Sequence, residues 1–203
     1  MPTPRTSHYL MQIASLIAYF NSFLPLTEEE VAELGQVVNR RTIKRRQFIL
    51  SPGDVCKHYH FIVEGCFKMY KVDEAAREHN LHFAVENQWI TDIGSFHAGS
   101  PSQLYIEAIE PSVVLQIAKP DLIQFYEKSL KFNRIFRVMV EDEFVLLQNR
   151  LLQTISTPAE QRYLEFIKLY PHLFNRISNV QIASYLGITP EFLSNIRKKL
   201  SQS

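Results

Sequence analysis

Residues 178–197 of this 203-residue chain read SNVQIASYLGITPEFLSNIR, and this stretch decides how the C-terminal part folds. Ser178, with a glutamine three positions later, matches a capping box and predicts the start of a short helix. Gly187 supplies the left-handed backbone conformation that ends such a helix. Thr189 then caps a second helix that has Pro190 at its first position. The stretch therefore predicts two helices joined by a very short turn.

The same stretch contains the residues that two closely crossing helices need. Ala183 is the small residue expected at the contact. The apolar residues expected to face inward are Ile182, Leu186, Ile188, Leu193 and Ile196. The outer face of the second helix then carries Thr189, Pro190, Glu191, Ser194, Asn195 and Lys198. Such a polar face fits the major groove of duplex DNA, although an ordinary helical hairpin can show the same pattern.

This face and the basic residues near it predict a division of roles in DNA binding. The candidates for reading bases are Thr189, Pro190, Glu191, Ser194 and Asn195. Asn195 can donate to and accept from an adenine edge, and Glu191 can accept from a cytosine amino group. The candidates for phosphate contacts are Arg176, Arg197, Lys198 and Lys199. Phosphate contacts set the register and the salt dependence, so we expect residues 157–203 to bind double-stranded DNA.

Bulk composition limits the class of protein. The chain is 46% hydrophobic and 21% charged, which is enough apolar material for a sizeable core. No apolar run approaches the roughly 18 residues of a membrane helix, and residues 1–20 lack the features of a signal peptide. We therefore expect a cytoplasmic protein with no membrane partner. The net charge of +1 conceals a local surplus of basic residues near the C-terminus.

Chemistry-bearing residues are sparse. Cys56 and Cys66 are too few for a disulfide framework or an iron–sulfur cluster, and whether they form a redox pair across a hairpin is left open. The scattered histidines are more typical of surface or core positions than of metal or haem ligands. No glycine-rich phosphate loop and no metalloprotease or serine-hydrolase motif is present. We expect no metal, no cofactor and no enzymatic activity.

Hydrophobic spacing divides the chain. Residues 9–23 have helical spacing, and Thr27 with Glu30 forms a second capping box. Short apolar runs and alternation fill residues 43–117, which predicts an antiparallel barrel or sandwich. Turn residues separate these runs at 52–54, 64–65, 86–87 and 111–112.

A long helix is predicted next, because residues 121–157 contain neither glycine nor proline. Its helical stripe comprises Ile135, Val138, Met139, Asp142, Val145, Leu146, Asn149 and Leu152. The length of the stripe favours a helix that packs against a second copy as well as against the chain's own barrel, over a plain core helix. Thr157 as cap and Pro158 as first residue predict the next helix. We expect segments 1–119, 120–156 and 157–203.

Taken together, the strand-rich segment, the long helix and the final helix-turn-helix resemble the Crp/Fnr family of dimeric bacterial regulators. Residues 52–54 and 60–65 look like the turn and strand of that family's cyclic-nucleotide-binding β-roll, and residues 106–115 look like its later strands. The resemblance covers nearly the whole chain. It implies an α+β fold: an antiparallel β-roll of jelly-roll type with flanking helices, a long dimerisation helix and a C-terminal helical domain.

The chain departs from this family in the phosphate-binding cassette. Members that bind cyclic AMP carry a Gly-Glu pair and an Arg-Ser pair, which here fall on Gly94-Ser95 and Ser102-Gln103. An anionic phosphate without a cationic partner is costly to bury, so we expect no tight binding of cyclic AMP. An uncharged or aromatic effector is expected instead, if any. The pocket candidates are Phe83, Gly94, Ser95, Phe96, Ser102, Gln103 and Tyr105.

The resemblance implies a homodimer on a palindromic operator, with RNA polymerase as a further partner. The alternative is a ligand-binding sensor that acts through protein partners without touching DNA. The placement of the second helix discriminates between them, because a DNA-reading helix must present its polar face outward.

Overall fold

The computed structural model describes residues 13–201, so residues 9–12 of the first predicted helix lie outside the described part. Helices α1 (Ala14–Phe23) and α2 (Glu28–Val37) come first. The strands are β1 (Val38–Ile43), β2 (Phe48–Leu50), β3 (His58–Glu64), β4 (Phe67–Val72), β5 (Glu78–Ala84), β6 (Trp89–Ile90), β7 (Tyr105–Ala108) and β8 (Ser112–Ala118), with α3 (Ile93–Ala98) before β7. The later helices are α4 (Lys119–Lys128), α5 (Leu130–Ser156), α6 (Ala159–Leu169), α7 (Asn179–Leu186) and α8 (Pro190–Leu200). None of the described helices is long and apolar enough to cross a membrane.

The described chain divides into two compact units. The first contains residues 13–69 and 83–139, with most of the strands. The second contains residues 70–82 and 140–201: the hairpin formed by the ends of β4 and β5, the C-terminal half of α5, and α6 to α8. The border between these two units falls inside α5, which contributes residues to both.

The strands form two four-stranded sheets, in the orders β1-β8-β3-β6 and β2-β7-β4-β5. Strand β8 pairs antiparallel with both β1 and β3, and β3 pairs antiparallel with β6. In this register Phe61 lies opposite Leu115 on one side and Trp89 on the other. The predicted antiparallel β-roll with flanking helices is confirmed.

Aromatic side chains fill the core of the first unit. Trp89 of β6 lies 5.2 Å from the Phe61 ring, 6.1 Å from the Phe20 ring and 5.9 Å from the Phe136 ring, measured between centroids. Phe20 and Phe61 are fully buried. Because β3, β6, α1 and α5 each contribute one of these rings, a single cluster holds both helices against the sheet.

The capping box predicted for α2 is present. The Thr27 hydroxyl accepts a hydrogen bond from the Glu30 amide at 3.2 Å, and the Thr27 amide donates to the Glu30 carboxylate at 2.8 Å. Lys131 of α5 donates to the same carboxylate at 2.6 Å. The cap therefore also attaches the start of α5 to α2.

The helix predicted to be continuous over residues 121–157 is interrupted once, and the predicted cap of the next helix is displaced by one residue. Ser129 has extended backbone angles and separates α4 from α5. Its hydroxyl accepts from the Phe132 amide, so it begins the second helix as a polar cap. Thr157 does not cap α6, because its amide donates to the Gln153 carbonyl and closes α5. Pro158 is the N-cap residue of α6, one position later than predicted.

The stripe predicted for self-association faces the chain's own core over its first turns. Ile135 and Met139 are buried in the first unit. Val145 and Leu152, later in the stripe, are exposed. A second exposed apolar row on α5 comprises Val140, Phe144, Leu147, Leu151 and Ile155. Their steps of four, three, four and four residues keep them on one side of the helix. The stripe is therefore buried at its start and exposed towards its end, and its role in self-association stays a prediction.

Gly65 makes the turn between β3 and β4 possible. Its φ is +108°, and a Cβ atom placed on it would collide with the Ser112 side chain and lie 2.8 Å from the Ser112 Cα. Gly53 also has a positive φ, +92°, but a Cβ atom there would meet nothing within 4 Å. A substitution at Gly53 therefore introduces backbone strain alone, whereas the same substitution at Gly65 introduces both backbone strain and a steric collision.

We expect Gly65→Ala to lower the free energy of unfolding by roughly 3 kcal/mol, from left-handed strain plus overpacking. Gly53→Ala should lower it by only about 1 kcal/mol, from strain alone. Chemical denaturation of both variants measures the two losses. Equal losses would contradict the collision with Ser112.

Candidate functional site

Helix α7 begins and ends as the sequence predicts. The Ser178 hydroxyl accepts from the Gln181 amide at 3.3 Å, and the Ser178 amide donates to the Gln181 side chain at 2.8 Å. Gly187 ends the helix with φ +67°. The Ile188 amide donates back to the Ala183 carbonyl at 3.0 Å, which closes a left-handed C-terminal cap. Local residues alone therefore fix where α7 stops and where the chain turns.

Helix α8 starts three residues after Gly187. The Thr189 hydroxyl accepts from the Phe192 amide at 3.2 Å, and Pro190 occupies the first position. The predicted contact residues Ile182, Ala183, Leu186, Leu193 and Ile196 are buried, and Ile188 is half-buried. The predicted pair of helices around Ala183 and Gly187 is confirmed, and α8 has one face packed and one face outward.

The outward face of α8 carries the predicted base-reading residues. Thr189, Glu191, Ser194 and Asn195 are exposed, and Pro190 is half-buried. The Ser194 hydroxyl donates to the Pro190 carbonyl at 2.9 Å, so its donor is engaged within the helix. The Asn195 side-chain amide has no hydrogen-bond partner among residues 13–201. Asn195 and Glu191 are therefore available for contacts with another molecule.

Phe192 is a surface residue of α8 that the sequence analysis omitted. Its side chain is 51% exposed although it is aromatic. The inward positions of α8 are already filled by Leu193 and Ile196, so the three-to-four-residue spacing leaves Phe192 outside the packed stripe. That spacing is the signal that identifies it. A phenyl ring here can make apolar contact with a thymine methyl group.

The predicted phosphate-contacting residues differ in their surroundings. The Arg197 guanidinium donates to the Asn179 side chain and lies 4.7 Å from the centre of the Phe174 ring. Lys199 forms an exposed ion pair with Glu160 at 2.8 Å. The Lys198 ammonium is exposed and makes no hydrogen bond or ion pair within the described residues. Arg176 is half-buried. Exposed ion pairs contribute little, so Lys199 can exchange its partner for a phosphate at small cost.

The hairpin of residues 70–82 is bonded to α7 within the second unit. The Ser184 hydroxyl donates to the Glu78 carbonyl at 2.6 Å and accepts from the Asn80 amide at 3.0 Å. The Asn80 side-chain amide also reaches the Gln181 carbonyl, at 3.4 Å. These hydrogen bonds join residues more than 100 positions apart, so no local sequence pattern predicts them.

Arg150 of α5 reinforces the same contact. Its guanidinium donates to the carbonyls of Leu81, Asn80 and Tyr185, the last two at 3.1 and 2.8 Å. It also lies 3.8 Å from the centre of the Tyr185 ring. Burial, together with the Arg150 charge, lowers the pKa of the neighbouring His82 to about 4, so this histidine is neutral at pH 7. One cation thus links α5, the hairpin and α7.

Asp92 organises the cassette region. Its carboxylate caps α3 by accepting from the Ser95 amide at 3.1 Å, and it accepts from the Ser102 hydroxyl at 2.6 Å. The Ser95 hydroxyl donates to the Ser100 carbonyl at 2.6 Å and accepts from the Cys56 amide at 2.9 Å. The Ser95 amide and the Ser102 hydroxyl are therefore occupied by a carboxylate of the chain itself, and the Ser95 hydroxyl by a backbone carbonyl.

The other pocket candidates are distributed differently. Phe83 and Phe96 are buried. Gly94 lies in the first turn of α3, Tyr105 stacks near Phe48 at 5.5 Å, and Gln103 is exposed. A cavity of about 260 Å³ in this unit is lined by residues between Ile49 and His60, and none of the seven candidates lines it.

Two of the titratable groups that line that cavity, His60 and Cys56, have pKa values shifted towards the uncharged form. Burial lowers the pKa of His60 to about 3 and raises the pKa of the Cys56 thiol. Cys56 and Cys66 are both buried free thiols. Within residues 13–201, no group of three His, Cys, Asp or Glu side chains is arranged to hold a metal ion.

Residues 40–129 match the model of the cyclic nucleotide-binding domain. No curated protein matches the chain. Among solved structures, FixK2 from Bradyrhizobium japonicum is 18% identical with a TM-score of 0.70, covering 82% of this chain and 85% of FixK2.

Two further structures have the same fold. A transcriptional regulator assigned to the Crp/Fnr family from Eubacterium rectale is 15% identical with a TM-score of 0.69, covering 91% of this chain and 88% of its own. A CooA mutant from Carboxydothermus hydrogenoformans is 15% identical with a TM-score of 0.68, covering 87% and 81%. Residues 40–129 therefore resemble a cyclic nucleotide-binding domain, and most of the chain shares its fold with these three structures, one of which is assigned to the Crp/Fnr family.

Proposed function

We propose that the chain is a homodimeric transcription regulator of Crp/Fnr type that binds duplex DNA through α8. The observation that carries the proposal is the outward face of α8, where polar side chains are exposed while the opposite face is locked against α7. A helix held this way can enter a major groove without rearrangement. The regulator acts in the cytoplasm, and RNA polymerase is its further partner.

The proposed base contacts follow from side-chain chemistry. Asn195 pairs with an adenine edge, Glu191 accepts from a cytosine amino group, and Phe192 packs on a thymine methyl. Thr189, Pro190 and Ser194 complete the face that meets the base edges. Because the Ser194 donor is engaged within the helix, Ser194 contributes as an acceptor.

The proposed phosphate contacts come from Arg176, Arg197, Lys198 and Lys199. Lys198 is the strongest candidate, because it is exposed and its ammonium has no partner within the described residues. Such contacts position the protein and release counterions without reading sequence.

Homodimerisation is supported by the exposed apolar face of α5. Phe144, Leu147, Leu151 and Ile155 are 64, 61, 60 and 76% exposed in the single chain. A contiguous apolar face of this kind marks an interaction surface, and its alternating spacing suits a helix pair. A two-fold axis along this face relates two copies of α8, and the DNA site that such a symmetric dimer binds is a palindrome.

The β-roll is proposed not to bind cyclic AMP. The Asp92 carboxylate accepts from the Ser95 amide and the Ser102 hydroxyl, so an incoming phosphate meets a negative charge where it needs donors. Neither cassette pair supplies an arginine to offset that charge. Burying a phosphate beside an unneutralised carboxylate is unfavourable.

DNA binding is tested with a random-sequence duplex over roughly 50 to 200 mM salt, comparing the native chain with Lys198→Gln. The variant should lower the magnitude of the slope of log K against log salt by about 2 per dimer, because each phosphate contact contributes about 0.9. Lys128→Gln in α4 is the charge-matched control and should keep the native slope. Absence of binding at low salt, or equal slopes for all three proteins, would favour a sensor that acts through protein partners.

Dimerisation is tested by sedimentation of Leu151→Lys. The native chain should sediment at twice its mass of 23.7 kDa, whereas the variant should dissociate at least about a hundredfold more readily, since it places a charge in an apolar seam. Ile123→Lys makes the same change on an exposed position of α4 and should remain dimeric. A Leu151→Lys dimer of native affinity would contradict this interface.

Cyclic AMP binding is tested by thermal unfolding. A site with a Kd one hundredth of the nucleotide concentration would add about 2.7 kcal/mol to the free energy of unfolding and raise the Tm visibly. We expect no change relative to 5′-AMP at the same concentration, which controls for ionic strength. A rise specific to cyclic AMP would overturn the role given to Asp92.

A further inference from the structure

A cavity of about 460 Å³ lies in the second unit, outside the site described above. Its walls come from the C-terminal half of α5, from α6 and from the last turn of α7. The volume falls within the range of small-molecule sites. All of the lining residues belong to one compact unit, so the cavity is a feature of that unit alone.

Arg162 lines this cavity with an incompletely paired guanidinium. Its Nη1 donates to the Thr154 carbonyl at 3.1 Å. Its Nε is buried and has no hydrogen-bond partner among the described residues. A buried donor without an acceptor is costly, and the edge that includes Nε is one that pairs with planar anions. Arg162 therefore brings to the cavity wall a guanidinium with one donor that no described acceptor satisfies.

The charges around the cavity favour an anion. Arg150 also lines it, and its three described acceptors are neutral backbone carbonyls. Lys168 is paired with Glu165 at 2.9 Å, which leaves Asp142 as the remaining acidic group on the wall. The cavity wall therefore carries two guanidinium groups that have no carboxylate partner among the described residues and one unpaired carboxylate, so its net charge is positive.

The remaining wall is apolar and aromatic. Phe166 and Tyr185 lie 5.2 Å apart between ring centres, and Leu146 and Leu186 also line the cavity. Aromatic rings and branched aliphatic groups of this kind bind a flat, largely apolar body, and one side of the Tyr185 ring is already covered by the Arg150 guanidinium. The cavity thus combines a basic part with a part suited to a ring.

We propose that this cavity binds a small organic anion that carries a flat ring, with the anionic group on the Nε edge of Arg162 and the ring against Phe166 and Tyr185. The site is separate from the cassette around Asp92 and from the outward face of α8. Ligand binding in this cavity is independent of the proposed DNA binding, because it requires neither a DNA duplex nor the side chains of α8.

The probes are 8-anilinonaphthalene-1-sulfonate, which is a ring-bearing anion, and its uncharged analogue N-phenyl-1-naphthylamine. Fluorescence titration of the full chain without DNA gives the affinity of each probe. Arg162→Gln should weaken binding of the sulfonate about tenfold, since it removes a charge-assisted contact, and should change binding of the neutral analogue less than about twofold. Lys128→Gln removes the same charge elsewhere and should alter neither affinity.

Arg162→Lys separates the charge from the shape of the guanidinium. It retains the charge but loses the Nε edge, so it should still weaken sulfonate binding at least about threefold. It also serves as the test if Arg162→Gln does not give the native circular dichroism spectrum. Native sulfonate affinity in the folded Arg162 variants would overturn the proposal, and so would an equal loss for both probes. Duplex binding by Arg162→Gln, measured separately, reports on the DNA-binding proposal alone.

Discussion

The left-handed turn at Gly187 is the constraint on which the proposed DNA-binding surface depends. The hydrogen bond from the Ile188 amide to the Ala183 carbonyl ends α7 and sets the direction of the α8 axis. Ala183 is fully buried beneath the crossing. A larger side chain at Ala183 would separate the two helices, and a β-branched residue at Gly187 would resist the positive φ. The orientation of Glu191 and Asn195 follows from these two small residues.

Arg150 extends this constraint beyond the two helices. Its guanidinium bonds to carbonyls on β5 and on α7 while its backbone belongs to α5, so three elements share one side chain. The Ser184 hydroxyl adds two more bonds between α7 and the hairpin. Such charge-assisted bonds to backbone groups are stronger than neutral ones and are difficult to replace. Within the second unit, α7 is therefore held from several directions, which gives α8 a rigid support.

Features determined by neighbouring residues could be predicted from the sequence. The caps at Thr27, Ser178 and Thr189 each join residues three positions apart, and the strand pattern needed only a period of two. The difference between this cassette and that of the members that bind cyclic AMP could also be predicted, because the missing arginine is visible in the sequence itself. The break at Ser129 was missed because no glycine or proline marks it.

Features that depend on distant residues could not be predicted. The occupation of the cassette donors by Asp92 requires Ser102, ten positions away, and the partners of Arg150 lie up to 70 positions away. The second exposed apolar row of α5 was not recognised, because α5 is apolar on more than one side and only the packed core shows which side is covered. Phe192 is intermediate: its spacing was readable, but its exposure needed the positions of Leu193 and Ile196.

The central claim is that α8 reads base edges, and selection of bound duplexes from a random pool tests it most directly. The account predicts enrichment of an inverted repeat whose half-sites lie about one DNA turn apart, roughly 34 Å. It also predicts that Asn195→Ala selects repeats with relaxed preference at one position in each half-site. Failure to enrich any sequence, or an identical motif from the native chain and from Asn195→Ala combined with Glu191→Ala, would contradict it.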